Sequence, residues 1–266
     1  MQHLDPTHKS MLADLIGSHT SMRVMEAVDG IRVAANQVFI IPPNSTLTVR
    51  DGTLRVSRPA PAREHRRPID TFFASLAEDQ GELAVCIVLS GTGSDGTLGL
   101  RKIKEHGGLS LAQADLDATA MSGMPQSAAA TGLVDHIIAV AEMPALLVDY
   151  LQHLHKVAPQ KDADGTRRDM SAHLSAICGL LRAGTGHDFS QYKHSTLLRR
   201  IQRRMQVLRI DTVPAFIERL KKEPHQTDLL FREFLIGVTR FFRDPQAFEA
   251  VERLYGDGRA SCRERV

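Results

Sequence analysis

Apolar residues form one continuous run near the middle of the chain, at residues 84–89. A short uninterrupted apolar run with β-branched members is typical of a strand that is covered on both faces. A glycine-rich turn follows, and the pattern then predicts a helix over Thr97–Glu105 and a second strand over Leu109–Gln113. Strand, helix and strand in this order predict a right-handed βαβ unit and therefore a parallel sheet.

Weaker patterns on both sides of this unit extend it to a larger α/β domain. Residues alternate around Asp51 and Gly52, a dipeptide that favours a two-residue turn, and this predicts a β-hairpin of Thr46–Arg50 and Thr53–Ser57. An apolar stripe at helical spacing predicts a helix over 69–78. The other elements predicted for this part are helices over 9–16, 126–131 and 143–154 and strands over 37–41 and 134–140.

The composition changes after residue 155. Residues 156–169 lack apolar periodicity and contain Pro, Gly and charges of both signs, which indicates a linker. Beyond it we find only helical patterns, at 171–182, His194–Leu208, Val213–Lys222, 227–236 and 245–255. We therefore expect a doubly wound α/β domain with a hairpin over 1–155, a small all-α domain over 170–243, and the start of a further domain with a disordered tail over 244–266.

Overall composition excludes several classes of protein. The 266 residues are 42% hydrophobic, and a formal net charge of +2 gives no general attraction to nucleic acid. The three cysteines form no C-x-x-C pair, which is typical of reduced thiols. Neither a signal peptide nor an apolar run long enough to span a membrane is present in the sequence. We expect a cytoplasmic protein without membrane insertion, nucleic-acid binding or a metal site.

The glycine turn at residues 91–96 has three possible interpretations. It satisfies G-x-G-x-x-G between a strand and a helix, with Asp115 roughly 20 residues further on, as in dinucleotide-binding proteins. A second interpretation is that Asp95 caps the helix beginning at Thr97. A third is catalytic, because open α/β sheets place reactive groups at the carboxyl ends of their strands, where Asp95 lies. The turn alone leaves all three open, although a carboxylate beside phosphates argues against the first.

A histidine near the start of the chain strengthens the catalytic interpretation. His3 and Asp95 would supply two members of a hydrolytic triad, with imidazole as the general base and the carboxylate fixing its tautomer. The nucleophile is the missing member. No G-x-S-x-G elbow occurs in the sequence, and neither Ser90 nor Ser94 has the surrounding residues of one.

Four short motifs occur in an order that points to one family. They are Gln2-His3-Leu4-Asp5-Pro6, Ile41-Pro42-Pro43, Ser90-Gly91-Thr92-Gly93-Ser94-Asp95-Gly96 and Ser122-Gly123-Met124-Pro125. Over about residues 2–154 this order resembles the catalytic domain of the chemotaxis protein-glutamate methylesterases (CheB). The resemblance implies that His3 and Asp95 are the catalytic histidine and aspartate and that the nucleophilic serine lies upstream of the printed sequence. Thr92 stands where the stand-alone enzymes often have methionine.

The predicted helix His194–Leu208 has a basic face. Its apolar stripe consists of Leu198, Ile201, Met205 and Leu208, and the other face carries Arg199, Arg200, Arg203 and Arg204. No acidic residue occurs between residues 189 and 210. Such a face is either simply solvated or a docking surface for an acidic partner. Nucleic acid is the weaker partner, because no aromatic side chains interleave with the arginines.

The end of the helical part carries a second resemblance. Residues 234–245, with Thr239-Arg240-Phe241-Phe242-Arg243 at their centre, resemble the junction between the all-α domain and the methyl-donor domain of chemotaxis receptor methyltransferases (CheR). The resemblance covers about residues 170–254 and implies that Thr239 and Arg243 contact S-adenosylmethionine. It also implies that the basic helix takes part in receptor recognition. The phenylalanines are equally well explained as core residues.

The two resemblances together predict a methylesterase fused to a methyltransferase, both acting on glutamates of a chemotaxis receptor. The esterase part needs no cofactor, and the transferase part needs S-adenosylmethionine. We expect the printed chain to be a fragment that is inactive by itself, because the nucleophile and most of the donor-binding domain are missing. Two alternatives stay open, namely a non-catalytic module that docks on an acidic receptor segment and a dinucleotide-binding domain.

Overall fold

The three-dimensional structure, a computed structural model, describes residues 11–58, 67–114, 122–157 and 163–236, of which 155–157 and 163–169 by their backbone alone. The elements of the first part, in chain order, are α1 (Leu12–Gly17), β1 (Arg23–Glu26), β2 (Gln37–Ile40), β3 (Thr46–Arg50), β4 (Thr53–Ser57), α2 (Pro68–Gln80), β5 (Val85–Val88), α3 (Thr97–Glu105), β6 (Leu109–Gln113), α4 (Gly123–Ala130), β7 (His136–Ile138) and α5 (Met143–Val157). Four helices follow: α6 (Ala163–Thr185), α7 (His194–Leu208), α8 (Val213–Lys222) and α9 (Pro224–Leu235). The helix predicted over 245–255 lies outside the described residues.

The main sheet is parallel, as the βαβ pattern predicts. Its order is β5-β6-β7, with Val85 paired to Leu109 and Leu111 paired to His136. The central strand β6 is buried on both faces, and its residues Leu109, Ser110, Leu111 and Ala112 have no exposed surface. Helices pack on both sides of it, so the predicted α/β fold class with a helical C-terminal part is confirmed.

A second, smaller layer consists of two strand pairs. β3 and β4 form the predicted hairpin, and its turn residues Asp51 and Gly52 both have positive φ, at 51° and 67°. Positive φ at both positions defines the type I′ turn that an Asp-Gly pair favours. The sequence analysis missed β1, which pairs in parallel with β2. This strand has only four residues, with charged Arg23 and Glu26 at its ends, so it carries no clear alternating pattern.

Helices α2 and α3 approach each other closely beside the sheet. A Cβ atom at Gly99 would lie 2.6 Å from Cβ of Phe73 and 2.8 Å from the carbonyl oxygen of Asp70. Side chains do not tolerate such distances, so only glycine allows the two helices to pack in this way. The apolar face of α2, with Ile69, Phe73 and Ala77, is thereby buried against the sheet.

The C-terminal helices pack around their own apolar core. Leu197, Ile201 and Met205 from α7 lie in it, and Leu198 and Leu208 pack against its edge. Helix α6 begins at Ala163, within the residues predicted as a linker, and α5 continues to Val157. The described residues up to 234 belong to one compact unit, and the predicted division into four segments stays a prediction. Within the described residues no helix is long and apolar enough to cross a membrane.

Candidate active site

The glycine turn between β5 and α3 is fixed by its backbone. Gly93 and Gly96 adopt φ values of 84° and 97°, which side chains rarely allow. The carbonyl oxygen of Gly91 accepts a hydrogen bond from the amide of Met124 at 2.9 Å. A Cβ atom at Gly123 would lie only 3.0 Å from the amide nitrogen of Gly93. Two of the motifs on which the family resemblance rests, at 90–96 and 122–125, are thus packed directly against each other.

Asp95 receives hydrogen bonds on both of its carboxylate oxygens. Its Oδ1 accepts from the backbone amides of Asp70 and Gly96, each at 2.9 Å, and its Oδ2 accepts from the amide of Ile69 at 3.1 Å. Ile69 and Asp70 belong to the first turn of α2, where backbone N–H groups have no partner within the helix and the helix dipole attracts negative charge. The carboxylate is therefore held in one orientation.

These contacts correct one of the interpretations of the turn. Asp95 was a candidate cap for the helix beginning at Thr97, but the N-cap residue of α3 is Gly96, and no side chain caps the helix from that position. The side chain of Asp95 instead caps α2, which begins at Pro68. The two helix starts lie side by side because of the close approach at Gly99, and the sequence pattern gives no sign of this neighbourhood.

A second carboxylate reaches in the opposite direction. Oδ1 of Asp70, in the first turn of α2, accepts a hydrogen bond from the amide of Gly99, in the first turn of α3, at 2.7 Å. Oδ2 of Asp70 lies 3.5 Å from Nη1 of Arg67. We call the pair of bonds from Asp95 to α2 and from Asp70 to α3 the crossed caps. Sequence analysis missed Asp70 and Gly99. The available signal was an acidic residue two positions after a helix-starting proline, together with a glycine inside a short helix.

The crossed caps also argue against the dinucleotide interpretation. A pyrophosphate bound at the start of α3 would need the free N–H groups of its first turn. Two amides there, those of Gly96 and Gly99, already donate to carboxylates. The turn therefore places negative charge at the position that a phosphate would need. Asp115, the predicted ribose ligand, lies outside the described residues.

The other predicted catalytic residue, His3, lies outside the described residues, so its predicted contact with Asp95 stays a prediction. Ser90, Thr92 and Ser94 are exposed beside the turn.

The basic face of α7 requires a correction. Three of the four arginines predicted to form a receptor-docking surface are buried, with 4% of Arg200, 1% of Arg203 and 3% of Arg204 exposed. They contact the α/β part of the same chain. For example, Nη2 of Arg203 donates to Oδ2 of Asp135 at 2.7 Å. Only Arg199 is exposed, so a receptor-docking role stays a prediction for it alone. Thr239 and Arg243, the predicted contacts of S-adenosylmethionine, lie outside the described residues.

Comparison with protein families gives two matches in the order that the sequence predicts. Residues 1–147 match the CheB methylesterase family, and residues 172–235 match the all-alpha domain of the CheR methyltransferase family. An uncharacterized 104.1 kDa protein of Rhodobacter capsulatus is 35% identical over 89% of this chain, which covers 27% of that protein. Both matched segments therefore occur together in a longer relative.

Other relatives resemble the first part alone. A protein-glutamate methylesterase/protein-glutamine glutaminase of Anaeromyxobacter dehalogenans is 33% identical over 56% of this chain and 45% of its own length. The protein-glutamate methylesterase FrzG of Myxococcus xanthus is 30% identical over the same shares. This chain thus spans less than half the length of these two relatives.

Among solved structures, the CheB methylesterase catalytic domain of Thermotoga maritima is 27% identical, with a TM-score of 0.49 over 56% of this chain and 80% of that one. The family match takes in the glycine turn, Asp95 and the packed motif at 122–125 in a single segment. This segment makes up more than half of the chain, and we conclude that the protein belongs to the CheB methylesterase family, with a CheR-type all-α segment following in the same chain.

Proposed function

We propose that residues 1–147 form the part of a protein-glutamate methylesterase that orients the catalytic histidine, and that the substrate is the γ-glutamyl methyl ester of a chemotaxis receptor. The observation that carries the proposal is the geometry of Asp95. Three backbone amides fix both of its oxygens at the carboxyl end of β5. The family match over this segment and the methylesterase names of its relatives support the choice of substrate.

In the proposed mechanism, Asp95 accepts a hydrogen bond from Nδ1–H of His3 and so keeps Nε2 available as a base. Nε2 of His3 takes the proton of a serine hydroxyl as the serine oxygen attacks the ester carbonyl. The tetrahedral intermediate collapses to an acyl-enzyme, and methanol leaves with the proton from His3. A water molecule, activated by the same histidine, then releases the glutamate side chain.

We propose that the serine is supplied from outside these 266 residues, because no nucleophile elbow occurs within them. We therefore expect that this chain alone hydrolyses no methyl ester. The measurement is methanol release from a peptide that carries γ-glutamyl methyl esters. Turnover by the chain that disappears in a His3→Ala variant would reveal a substitute nucleophile and contradict this expectation.

The test of Asp95 uses the longer protein that contains this chain. Asp95→Asn should lower kcat on the order of 10⁴-fold, because an amide cannot hold the histidine in the required tautomer or stabilise the imidazolium. The matched control is Asp51→Asn, in the exposed hairpin turn, where asparagine suits the positive φ equally well. Equal activity of the two variants would refute a triad role for Asp95.

We further propose that the helical segment belongs to an S-adenosylmethionine-dependent methyltransferase acting on the same class of receptor. This rests on the match of residues 172–235 to the CheR all-alpha domain. The residues predicted to contact the methyl donor lie outside the described part of the chain, so we derive no step of that reaction. A Thr239→Val variant of the longer protein should weaken S-adenosylmethionine binding in calorimetry, and unchanged binding would contradict the assignment.

A further inference from the structure

Helix α7 has two buried faces rather than one. Leu197, Ile201 and Met205 lie in the core of the helical part. A second set follows the spacing i, i+3, i+4 and i+7, which places its members on one side of a helix. This set, which we call the arginine stripe, consists of Arg200, Arg203, Arg204 and Val207. All four side chains are buried, so the stripe is a contact surface within the described structure.

Arg203 lies at the centre of the contact and donates four hydrogen bonds from its guanidinium group. Its Nε donates to the carbonyl oxygen of Gly107 at 3.1 Å, and its Nη2 donates to the carbonyl oxygen of Gly108 at 2.6 Å and to Asp135 at 2.7 Å. Its Nη1 donates to Oε1 of Glu233 in α9 at 2.8 Å. The planar fork of arginine is suited to such a set of acceptors, and lysine could not reproduce it.

Arg200 binds the end of α3. Its Nη1 donates to the carbonyl oxygen of Lys104 at 2.7 Å, and its Nη2 donates to that of Glu105 at 3.3 Å. The last carbonyl groups of a helix lack partners within the helix and carry the negative end of its dipole. Together with Arg203 on Gly107 and Gly108, the stripe thus satisfies a series of backbone acceptors that follow one another along the α/β part.

The ionic groups in this contact are enclosed from water. Lys104 lies 2.5 Å from Oδ1 of Asp135, whose side chain has no exposed surface. Nη2 of Arg204 donates to Gln226 at 2.5 Å, and its Nη1 lies 3.5 Å from Glu233. Removing one partner from such a buried group leaves an uncompensated charge, which costs far more than the loss of an exposed ion pair.

Apolar packing and a pair at the rim complete the contact. Val207 packs in the same cluster as Leu109 and Leu111 of β6 and Tyr150 of α5. At the rim, Nη1 of Arg209 lies 2.9 Å from Asp149 of α5. The contact therefore resembles a stable protein interface, because its centre is buried and its rim is polar.

The contact lies at the opposite edge of the sheet from the glycine turn. Gly107 and Gly108 come directly before β6, and Asp135 comes directly before β7, so both mark amino-terminal ends of parallel strands. Asp95 follows β5 and belongs to the carboxyl-terminal edge. The helical part is thus bound where it does not cover the turn that carries Asp95.

We propose that the arginine stripe is an internal docking surface: it fixes the CheR-type helices to the amino-terminal edge of the methylesterase-type sheet and is not a binding surface for an acidic receptor segment. The partner of the stripe is this chain's own α/β part, which provides the carbonyl groups at the end of α3 and the buried carboxylate of Asp135. Receptor segments would then have to bind elsewhere on the chain, and the two parts move as one body.

The experiment uses the whole 266-residue chain with a protease site inserted between α5 and α6. After cleavage, the two pieces should elute together from a size-exclusion column at about 1 μM, in low salt and in 1 M NaCl, because buried ion pairs are weakly screened. Arg203→Gln should weaken their association at least about 100-fold and separate them. The matched control is Arg199→Gln, on the same helix but exposed, which should leave the pieces together.

Two further measurements keep the test decisive. If Arg203→Gln loses helical circular dichroism, Arg203→Lys, which keeps the charge but not the fork, should give a folded chain with association about 10-fold weaker. An acidic probe, a labelled oligoglutamate peptide, should bind the uncut chain with an affinity that Arg203→Lys changes less than 2-fold. Separation of the wild-type pieces, or weaker peptide binding in Arg203→Lys but not in Arg199→Gln, would overturn the proposal. Neither readout depends on esterase activity.

Discussion

The two edges of the parallel sheet each hold an aspartate, and they hold it in opposite ways. At the carboxyl-terminal edge, Asp95 is fixed by three neutral backbone amides. At the amino-terminal edge, Asp135 contacts the cations Lys104 and Arg203 and also accepts from the amide and hydroxyl of Ser110 at 3.0 and 2.9 Å. The first environment orients a carboxylate with backbone amides, whereas the second pairs a carboxylate directly with cationic side chains.

The difference is visible in the electrostatics of the amino-terminal edge. Burial by itself would raise the pKa of Asp135, but Arg203 and Lys104 outweigh burial and hold this pKa well below its usual range. Burial lowers the pKa of Arg200 to about 10, and the neighbouring Arg199 acts in the same direction. Three cations, Lys104, Arg203 and Arg204, therefore contact the two carboxylates of Asp135 and Glu233, and backbone carbonyl groups accept further hydrogen bonds from Arg203. The amino-terminal edge thus holds the helical part of the chain, whereas the carboxyl-terminal edge carries the aspartate that we propose to be catalytic.

The largest effect is expected when the amino-terminal edge loses its central cation, Arg203. Arg203→Met should lower the free energy of unfolding by about 3–5 kcal/mol, because Asp135 and Glu233 would stay buried with too few partners. Arg199→Met, at an exposed position on the same helix, should change it by less than about 0.5 kcal/mol. Urea unfolding of both variants measures the difference, and similar losses would contradict the assigned contact.

Acid should weaken the same edge in a defined pH range. The pKa values of Asp135 and Glu233 are lower in the folded chain than in the unfolded chain, where about 3.9 and about 4.3 apply. The stability they contribute is therefore complete above those unfolded values and is lost as the pH falls towards the folded ones. Charged groups facing them are Lys104 from α3 and Arg203 and Arg204 from α7.

For each additional proton that the unfolded chain binds, the free energy of unfolding should fall by about 1.4 kcal/mol per pH unit as the pH is lowered. Urea titrations between pH 5 and pH 3 measure it, with Arg199→Met as the control that retains the wild-type slope. In Arg203→Met the slope should be smaller, because the carboxylates lose the cation that lowers their pKa. An equal slope in both variants would show that other carboxyl groups cause the acid sensitivity.

The carboxyl-terminal edge depends on the close packing of α2 and α3. Gly99→Ala should therefore lower the free energy of unfolding by about 1–3 kcal/mol. The added methyl group would lie within 3 Å of both Phe73 and the backbone of Asp70. Gly179→Ala is the matched control in α6, where nothing lies within 4 Å of the new Cβ, and it should stabilise the chain by roughly 0.5–1 kcal/mol. Thermal unfolding of the pair tests the sign, and a stabilising Gly99→Ala would refute the close approach.

The smallest expected effect concerns the crossed caps themselves. Asp70→Ala removes the acceptor of the Gly99 amide and should lower the free energy of unfolding by about 0.5–2 kcal/mol. Asp70→Asn keeps an acceptor oxygen and should retain most of the stability. The hydrogen-exchange rate of the Gly99 amide measures this contact directly. The rate should rise in Asp70→Ala and stay close to the wild-type rate in Asp70→Asn. Unchanged protection in Asp70→Ala would mean that this amide does not depend on the carboxylate.

Much of the local structure follows from the sequence. The bounds of α3, β6, α7 and α8 and of the hairpin strands agree with their patterns, because apolar spacing, glycine and the Asp-Gly turn act over a few residues. The motifs at 90–96 and 122–125 identified the family correctly, because each is a local run of residues. Strand β1 was missed, since four residues with charged ends carry too little periodicity.

What the sequence by itself determined is therefore most of the elements, the fold class and Asp95 as the central residue of the turn. Only the tertiary structure decided which helix Asp95 caps and what the basic face of α7 contacts. Asp95 meets amides 25 and 26 residues away, and Arg203 meets Asp135 at a separation of 68 residues. A pattern of charges shows that a face is basic. Which groups that face contacts, and whether they are buried, depends on how distant segments pack, and local spacing does not encode this packing.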